Sequence, residues 1–442
     1  MSNKRTLVRS ILDCLLVFLY FLIGYHIARE ESLALMTGFF LLFGLTALRL
    51  RQINQNEIFW LGLAFRLILL FALPWLSQDF YRFLWDGLLM LQDINPYAFT
   101  PDELVQQKDF FLSPLKQMLH QNMGALSASH YSNYPPINQV GFAFSVYWWP
   151  NSLLISTVIM RVLLILMDLG VYHYGRKLLQ LQGISQKRMA WYFLNPLVII
   201  ELTGNLHWEG GVLFFFTLGC YLYLRNKPLL SAAVFALSVA TKLIPLLLLP
   251  VFIRFQSTKK NLQMGSIGLI ALGLIFVPFF IEIGAKNYMA TLQLWFKNFE
   301  FNGSLYYIAR WIGYQIKGYN IIRQLGEVTP WLIVLLVILF SLFKRKTTII
   351  QVFTSMLLLI SCYYFVASVV HPWYLIPLLF ISLFTKFRYV LVWTFLIPLS
   401  YTSYAHPNFE ENFFIIAIEY GVVYGVLVYE LLTRQALFQH FK

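Results

Sequence analysis

The fold class this sequence predicts is an all-α, polytopic membrane protein, and three observations predict it. Of its 442 residues, 59% are hydrophobic and only 12% are charged, too few polar groups to cover so much apolar surface in water. Apolar runs close to the twenty residues that cross a bilayer core recur along the whole chain. Between them, basic residues collect in short alternate loops, the pattern that marks cytoplasmic loops. The net charge of +13 therefore belongs to loop chemistry and not to nucleic-acid binding.

In chain order, apolar windows place spans near 10–28, 33–50, 57–76, 152–174, 189–206, 210–224, 229–241, 243–254, 265–283, 329–343, 348–370, 373–385, 388–405 and 412–432. The expected count is twelve to fourteen, because 229–241 and 243–254 are too short for two ordinary spans and read as a tight hairpin with Lys242 near its tip. Lys4, Arg5 and Arg9 precede the first run without a small-residue cleavage site, so that run is expected to be a retained span. These basic residues, Arg49 and Arg51, Arg176 to Arg188, Arg225 and Lys227, Arg254 to Lys260, Lys344 to Lys346, Lys386 and Arg388, and Arg434 all fall on one side of the map. Both termini are then cytoplasmic, and residues 77–151 and 284–328 form two large extracytoplasmic loops.

Most carboxylates land outside: Asp79, Asp86, Asp93, Asp102, Glu103, Asp109, Glu209, Glu282, Glu300 and Glu327. Segments 103–120 and 136–149 are too short or too mixed to span, and the second, ending Trp148-Trp149-Pro150, suits a helix lying in the interface. No soluble domain, linker or internal repeat stands out, so residues 1–442 are expected to form a single membrane domain. Cys14, Cys220 and Cys362 lie within apolar runs and offer neither a disulfide framework nor metal-ligand spacing.

The most informative stretch is 78–97, QDFYRFLWDGLLMLQDINPY, which puts Asp79, Arg82 and Asp86 just after a long apolar run. Ionisable groups at a membrane boundary are expensive and point to a functional site. In a helix, these three positions (i, i+3, i+7) set the arginine between two carboxylates on one face. Ser77 is a candidate N-cap, and an aspartate in the first turn stays ionised in the positive field of the helix start, which suits a general base. The plain alternative is a surface salt-bridge patch.

Other constellations follow. Tyr134-Pro135-Pro136 begins the return to the membrane, and reads either as a site element or as a simple helix start. Asn205-Leu206-His207-Trp208-Glu209 sits where a span meets the outside; His207 and Glu209, two apart, share no helix face and make a zinc site a poor reading. Glu201, within apolar sequence, needs a partner or a proton. Lys242 either snorkels or meets an anion such as a phosphate. Arg66, Arg161 and Asp168 are intramembrane, and the last two, seven apart, read as a structural ion pair. Phe299 to Tyr306 with Arg310 mixes aromatics and amides in a way that suits a sugar, and Asn302-Gly303-Ser304 also matches a glycosylation sequon. His371-Pro372-Trp373-Tyr374 caps another span, as a substrate contact or as an interfacial belt. P-loop, Rossmann and zincin motifs are absent from the sequence and the cytoplasmic loops are short, so an enzyme built this way should draw on a lipid-borne donor.

Asp79-Phe80-Tyr81-Arg82-Phe83-Leu84-Trp85-Asp86-Gly87, Asn95-Pro96-Tyr97 and Tyr134-Pro135-Pro136 together resemble the first outside loop of GT-C glycosyltransferases. The resemblance is to the polyprenyl-phosphate-mannose-dependent mannosyltransferases, the group that includes the GPI and phosphatidylinositol mannoside enzymes. It extends, more weakly, through Asn195-Pro196, His207-Trp208-Glu209, Lys242 with Pro245, Asn302-Gly303-Ser304 and His371-Pro372-Trp373-Tyr374. It implies a GT-C-like fold and a sugar moved with inversion from a polyprenyl phosphate to a lipid- or glycan-linked acceptor, outside a bacterial cytoplasmic membrane. Asp79 would be the catalytic base, with Arg82 orienting it and Asp86. Asn95, Tyr97, Tyr134, His207, Glu209, Lys242, Asn302, Tyr306, Arg310 and His371 would contact substrate, and Lys242, Arg310 and His371 would face the phosphate. No cofactor or metal is required, although Asp79 and Asp86 leave room for a divalent cation. One departure is 91–95, Leu-Gln-Asp-Ile-Asn, where the pattern calls for a glycine before Asn-Pro-Tyr. The competing class is a transporter or lipid-linked sugar flippase, which would favour inverted repeats and polar residues near the midplane.

Overall fold

The computed structural model describes residues 2–253, 255–281, 283–342, 348–405 and 409–433. Arg254, Glu282, Lys344, Arg345, Lys346 and Arg434 of the topology map lie outside the described residues. The described chain is helical: α1 Ser2–Tyr25, α2 Ser32–Leu50 and α3 Gln55–Ile68 lead into α4 Asp79–Met90, α5 Pro101–Val105, α6 Pro114–Asn122, α7 Ala125–Ala128 and α8 Pro136–Tyr147. Then come α9 Leu153–Leu181, α10 Ala190–Phe193, α11 Pro196–Val198, α12 Glu209–Leu224, α13 Pro228–Thr241, α14 Pro245–Leu248 and α15 Thr258–Phe280. The remainder is α16 Gly284–Lys297, α17 Leu305–Lys317, α18 Ile322–Leu342, α19 Ile349–Val366, α20 Leu375–Ser382, α21 Tyr389–Leu396 and α22 Phe413–Thr433. Among the described residues the only extended pairing is an isolated bridge between Phe301 and Val369.

Each apolar window is helical over most of its length, but the pieces differ. Seven helices among the described residues (α1 from Thr6, α2, α9, α15, α18, α19 and α22) are long and apolar enough to cross a membrane. Their capping is local: Ser152, Ser257 and Thr348 accept from the N–H three residues on and start α9, α15 and α19. The other windows are interrupted, chiefly by prolines, which lack an N–H and clash with the preceding turn. Pro196 opens α11, Pro372 opens a 3-10 turn before α20, and Pro398 lies in the 3-10 stretch Ile397–Tyr404 that ends the α21 window. Helix α18 starts at Ile322, within the expected second loop. Leu269, Ile270 and Leu274 on α15 and Trp331 and Leu335 on α18 are exposed, the apolar surface that lipid covers in a membrane.

The 229–254 region is the hairpin its length suggested. α13 runs to Thr241, Lys242 is extended (φ −159°, ψ 141°), and the return brings Phe252 back to Phe235 and Tyr223, with ring centroids 5.9 and 5.5 Å apart. The basic loops converge on that same end of the bundle. Lys260 lies over the Tyr223 ring and Lys177 over Tyr221. Arg176 and Gln55 both donate to Gln186, and Arg49 joins Asp13 to Glu57. The first loop and Lys242 occupy the opposite end.

One buried pairing differs from the sequence reading. Asp168 pairs with Arg66 of α3 (Nε–Oδ2 2.7 Å) and accepts from Tyr192, whereas Arg161 donates to the carbonyls of Thr203, Gly204 and Leu70. Arg161 and Asp168 stand two helical turns apart on α9, while α3 delivers Arg66 directly to the carboxylate.

In the first loop, α4 and α8 form the closest pair. Phe83 stacks on Phe142 at 4.7 Å and 7°, and a Cβ on Gly87 would meet the Phe142 carbonyl oxygen at 2.5 Å. Backbone cannot yield as a side chain can. Gly87→Ala should therefore lower stability by about 1–3 kcal/mol, the usual range for overpacking. A thermal melt of the purified variant in detergent checks this, and an unchanged Tm contradicts it.

Candidate functional site

The site forms where the start of α4 meets the segments 201–209, 242 and 371–374. Helix α4 begins at Asp79, one residue later than a Ser77 cap would place it, because Gln78 is already turned (φ −90°, ψ −2°). Ser77 Oγ still accepts the Asp79 N–H at 3.2 Å. The Asp79 carboxylate thus sits in the positive field of the helix start, with its side chain 37% exposed. Its nearest charged neighbour is His207, with Nε2 3.8 Å from Oδ2, an ion-pair distance too long for a hydrogen bond.

His207 is buried and fixed on its other side. Nδ1 lies 3.0 Å from Glu201 Oε2, and Trp373 stacks on the ring with centroids 3.6 Å apart and 22° between planes. His371 also stacks on Trp373, at 4.3 Å and 8°. The indole is thus engaged by two imidazoles. The buried His207 Nε2 and His371 Nδ1 have no hydrogen-bond partner among the described residues.

Three of the acidic and imidazole groups here have shifted titrations. Burial opposes ionisation of Asp79, but His207, then His371 and Lys242, overcome it and hold the carboxyl below the usual aspartate range. Burial alone would depress His207, yet Asp79, Glu201 and Glu209 reverse the sign and push it up to about 9. His371 goes the other way, with burial, helped by His207 and Lys242, lowering it to about 3 against the pull of Asp79. At neutral pH the site presents a carboxylate, an imidazolium and a neutral imidazole.

Lys242 pairs with Glu209, the first residue of α12, and lies over the Tyr374 ring at 4.3 Å. Its side chain keeps 32% exposure while Glu209 is enclosed. The structure therefore brings together five of the residues singled out in the sequence: Asp79, His207, Glu209, Lys242 and His371. Sequence reasoning left out Trp373, Tyr374 and Tyr401 as site residues and gave Glu201 only the need for a partner. The first two stood inside a motif already noticed, whereas nothing local marked Tyr401.

The remaining candidates lie elsewhere. Arg82 bonds Asp86 (2.7 Å), not Asp79, and spends its other donors on the carbonyls of Ser127 and His130. Asp86 is fully buried and also accepts from Ser132 and Gln139. On a helix, Arg82 sits one full turn from Asp86, and the 127–132 turn encloses that side. Asn95, Tyr97 and Tyr134 tie the loop together: Asn95 accepts the Tyr97 N–H and donates to Phe279 O, and Tyr97 donates to Tyr134 O. The missing glycine is replaced by Asp93, which takes φ +56° itself, a left-handed backbone that aspartate tolerates better than most residues. Asn302 is buried against Glu419 and not exposed as a sequon, while Tyr306 and Arg310 bond Glu300. Among the described residues no group of three or more His, Cys, Asp or Glu side chains is placed to hold a metal ion.

Fold and site together describe a membrane-embedded enzyme whose charged groups are gathered at one end of a helical bundle. A family model described as alpha-(1->6)-mannopyranosyltransferase, N-terminal domain, matches residues 18–257, more than half of the chain, and the chain belongs to this MptA/B family. It is accordingly a membrane mannosyltransferase, and the transporter and flippase reading falls away. The match includes Asp79, His207, Glu209 and Lys242 and ends before His371. No curated protein matches the chain.

The Lys242–Glu209 pair generates a prediction. Lys242→Met should strand the enclosed Glu209 carboxylate and lower stability by about 1–3 kcal/mol, the penalty for an unsatisfied buried polar group. Lys242→Met with Glu209→Gln should recover most of the loss. Melting temperatures of the two variants decide, and a Lys242→Met protein as stable as the parent shows that the pair contributes nothing.

Proposed function

We propose that the protein transfers mannose from a polyprenyl-phosphate donor to a hydroxyl of a lipid- or glycan-linked acceptor, with inversion, on the extracytoplasmic face, and that Asp79 is the base. The observation carrying this reading is the Asp79 carboxylate. It is part-exposed, held ionised by a helix start and by His207, and not consumed by a close hydrogen bond. The neighbouring carboxylates are spent, Glu201 on three donors and Glu209 on Lys242.

One free carboxylate suits a single displacement. Asp79 takes the proton of the acceptor hydroxyl as its oxygen attacks the anomeric carbon. The bond from that carbon to the phosphate oxygen breaks, and its electron pair leaves with the polyprenyl phosphate. An α-linked product made by inversion requires a β-linked donor, and the family description supports an α-(1→6) linkage and so a primary acceptor hydroxyl. Charge grows on the leaving phosphate, where the exposed part of Lys242 is the cation at hand. Arg310 is less available, being paired with Glu300. The convergence of basic loops at the far end of the bundle supports an extracytoplasmic site. Arg82 and Asp86 act as scaffold for α4 in this scheme, and it routes no step through a metal.

Three measurements test the reading. Asp79→Asn should keep its fold and lose about 10²–10⁴-fold in turnover, the usual weight of general-base catalysis. With labelled donors, incorporation is expected from polyprenyl-phosphate mannose and none from a nucleotide sugar; the reverse result overturns the donor assignment. The pH profile of kcat/KM follows from the two shifts. Asp79 works ionised and its pKa is lowered, so activity should persist as pH falls through the ordinary aspartate range. His207 works protonated, so activity should decline as pH rises through about 9.

A further inference from the structure

The transfer as written gives Glu201 no role, yet the chain goes to unusual lengths to hold it. The turn Ile199–Gly204 that carries it is π-helical, closed by Asn205 N–H to Ile200 O at 2.9 Å, a wide turn found mostly at functional sites. Leu206 follows at φ +64°, a left-handed backbone unfavourable for a branched side chain. Arg161 closes the turn by donating to the carbonyls of Thr203 and Gly204 at 2.6 and 3.2 Å. An ordinary helical turn would need none of these devices.

Their joint effect is to aim one side chain. Glu201 is fully buried, with Oε2 accepting from Asn205 Nδ2 and facing His207 Nδ1, both at 3.0 Å, and Oε1 accepting from the Tyr401 hydroxyl. A carboxylate on Nδ1 makes that nitrogen a donor and leaves Nε2 to point at Asp79. Trp373, flat against the ring, blocks rotation. The groups facing His207 are Asp79 from α4, Glu201 from the π-turn and Glu209 from α12, with His371 and Lys242 beyond.

We propose that Glu201 is a positioning residue for the transfer: with Tyr401 and Asn205 it clamps His207 so that Nε2–H and the Asp79 carboxylate converge on one substrate hydroxyl oxygen beside them. The 3.8 Å between Nε2 and Oδ2 is too long for a direct bond, and an oxygen seated beside the line that joins them, not between them, lies at ordinary hydrogen-bond distance, about 2.8 Å, from each. That hydroxyl donates to Asp79 and accepts from His207. This inference rests on Asp79 as the base.

Glu201→Gln in the full-length protein tests it, read by the pH profile and by the histidine signals of 13C-labelled enzyme, with His207 assigned through its loss in His207→Gln. The expected result is a 10- to 100-fold fall in kcat at little change in KM, on the order seen when an orienting carboxylate is removed. The acid limb should move to higher pH, because Asp79 loses its cation, and the His207 resonance should titrate below its parent value. Combined with His207→Gln, Glu201→Gln should add no further loss. A parent-like pH profile and His207 titration, or losses that add in the double variant, overturn the proposal. If Glu201→Gln does not fold, Tyr401→Phe, which deletes one hydroxyl, must show the same shifts at smaller amplitude, and its failure to do so is equally decisive. The histidine titration is independent of turnover, so a failure of Asp79 as base and a failure of the clamp give different results.

Discussion

A charge enclosed in a helical bundle within lipid persists only where other polar groups meet it, and this constraint places nearly every ionisable residue inside the protein. Arg66 meets Asp168, which also takes the Tyr192 hydroxyl. Asp86 meets Arg82, Ser132 and Gln139. Glu419 receives Asn302 and Trp393, and Glu430 the backbone N–H groups of Arg388 and Tyr389. Against that background Asp79 is the exception. It is drawn toward His207 without closing on it, and an unfinished interaction in an otherwise completed set marks the place where a substrate would be received.

The two loops at the site end act as one assembly, and their ties explain why several polar residues lie away from Asp79. Asn95 reaches the carbonyl of Phe279 at the end of α15, and Asn287 of α16 donates to the carbonyl of Tyr97. Farther along, Phe301 exchanges backbone hydrogen bonds with Ser368 and Val370, bringing its ring 4.6 Å from His371. Asn302, just after it, is anchored to Glu419 on α22. The second loop thereby carries the segment that ends in His371 and Trp373, the rings stacked behind His207. Asn302, Tyr306 and Arg310 shape that segment without standing beside Asp79.

Much of the architecture was legible because its causes are local. Apolar run length and basic loops identify membrane helices from composition alone, and the shortness of 229–241 and 243–254 identified a hairpin with Lys242 at its turn. Asp79 was legible because a carboxylate at a helix start is a local event. Partner choice was not legible. A helical wheel places Arg82 between Asp79 and Asp86, and both Arg161 and Asp168 on α9, but it is blind to the carbonyls of Ser127, His130, Thr203 and Gly204 that compete for those guanidinium groups. Missing too was the left-handed conformation of Asp93, which serves where a glycine was expected.

By itself, the sequence determined that this chain enters a membrane as a set of helices, where most of them lie, and which end of the bundle gathers the carboxylates. These follow from hydropathy, proline and charge within a few residues of each position. Only the tertiary structure decided that Asp79 faces His207, that Glu201 and Tyr401, far apart in the chain, stand behind that imidazole, and that Lys242 is claimed by Glu209. Those contacts join residues up to 200 positions apart. Their partners are selected by how helices pack and by the need to satisfy each buried charge, a condition set by the whole fold and not by any one segment.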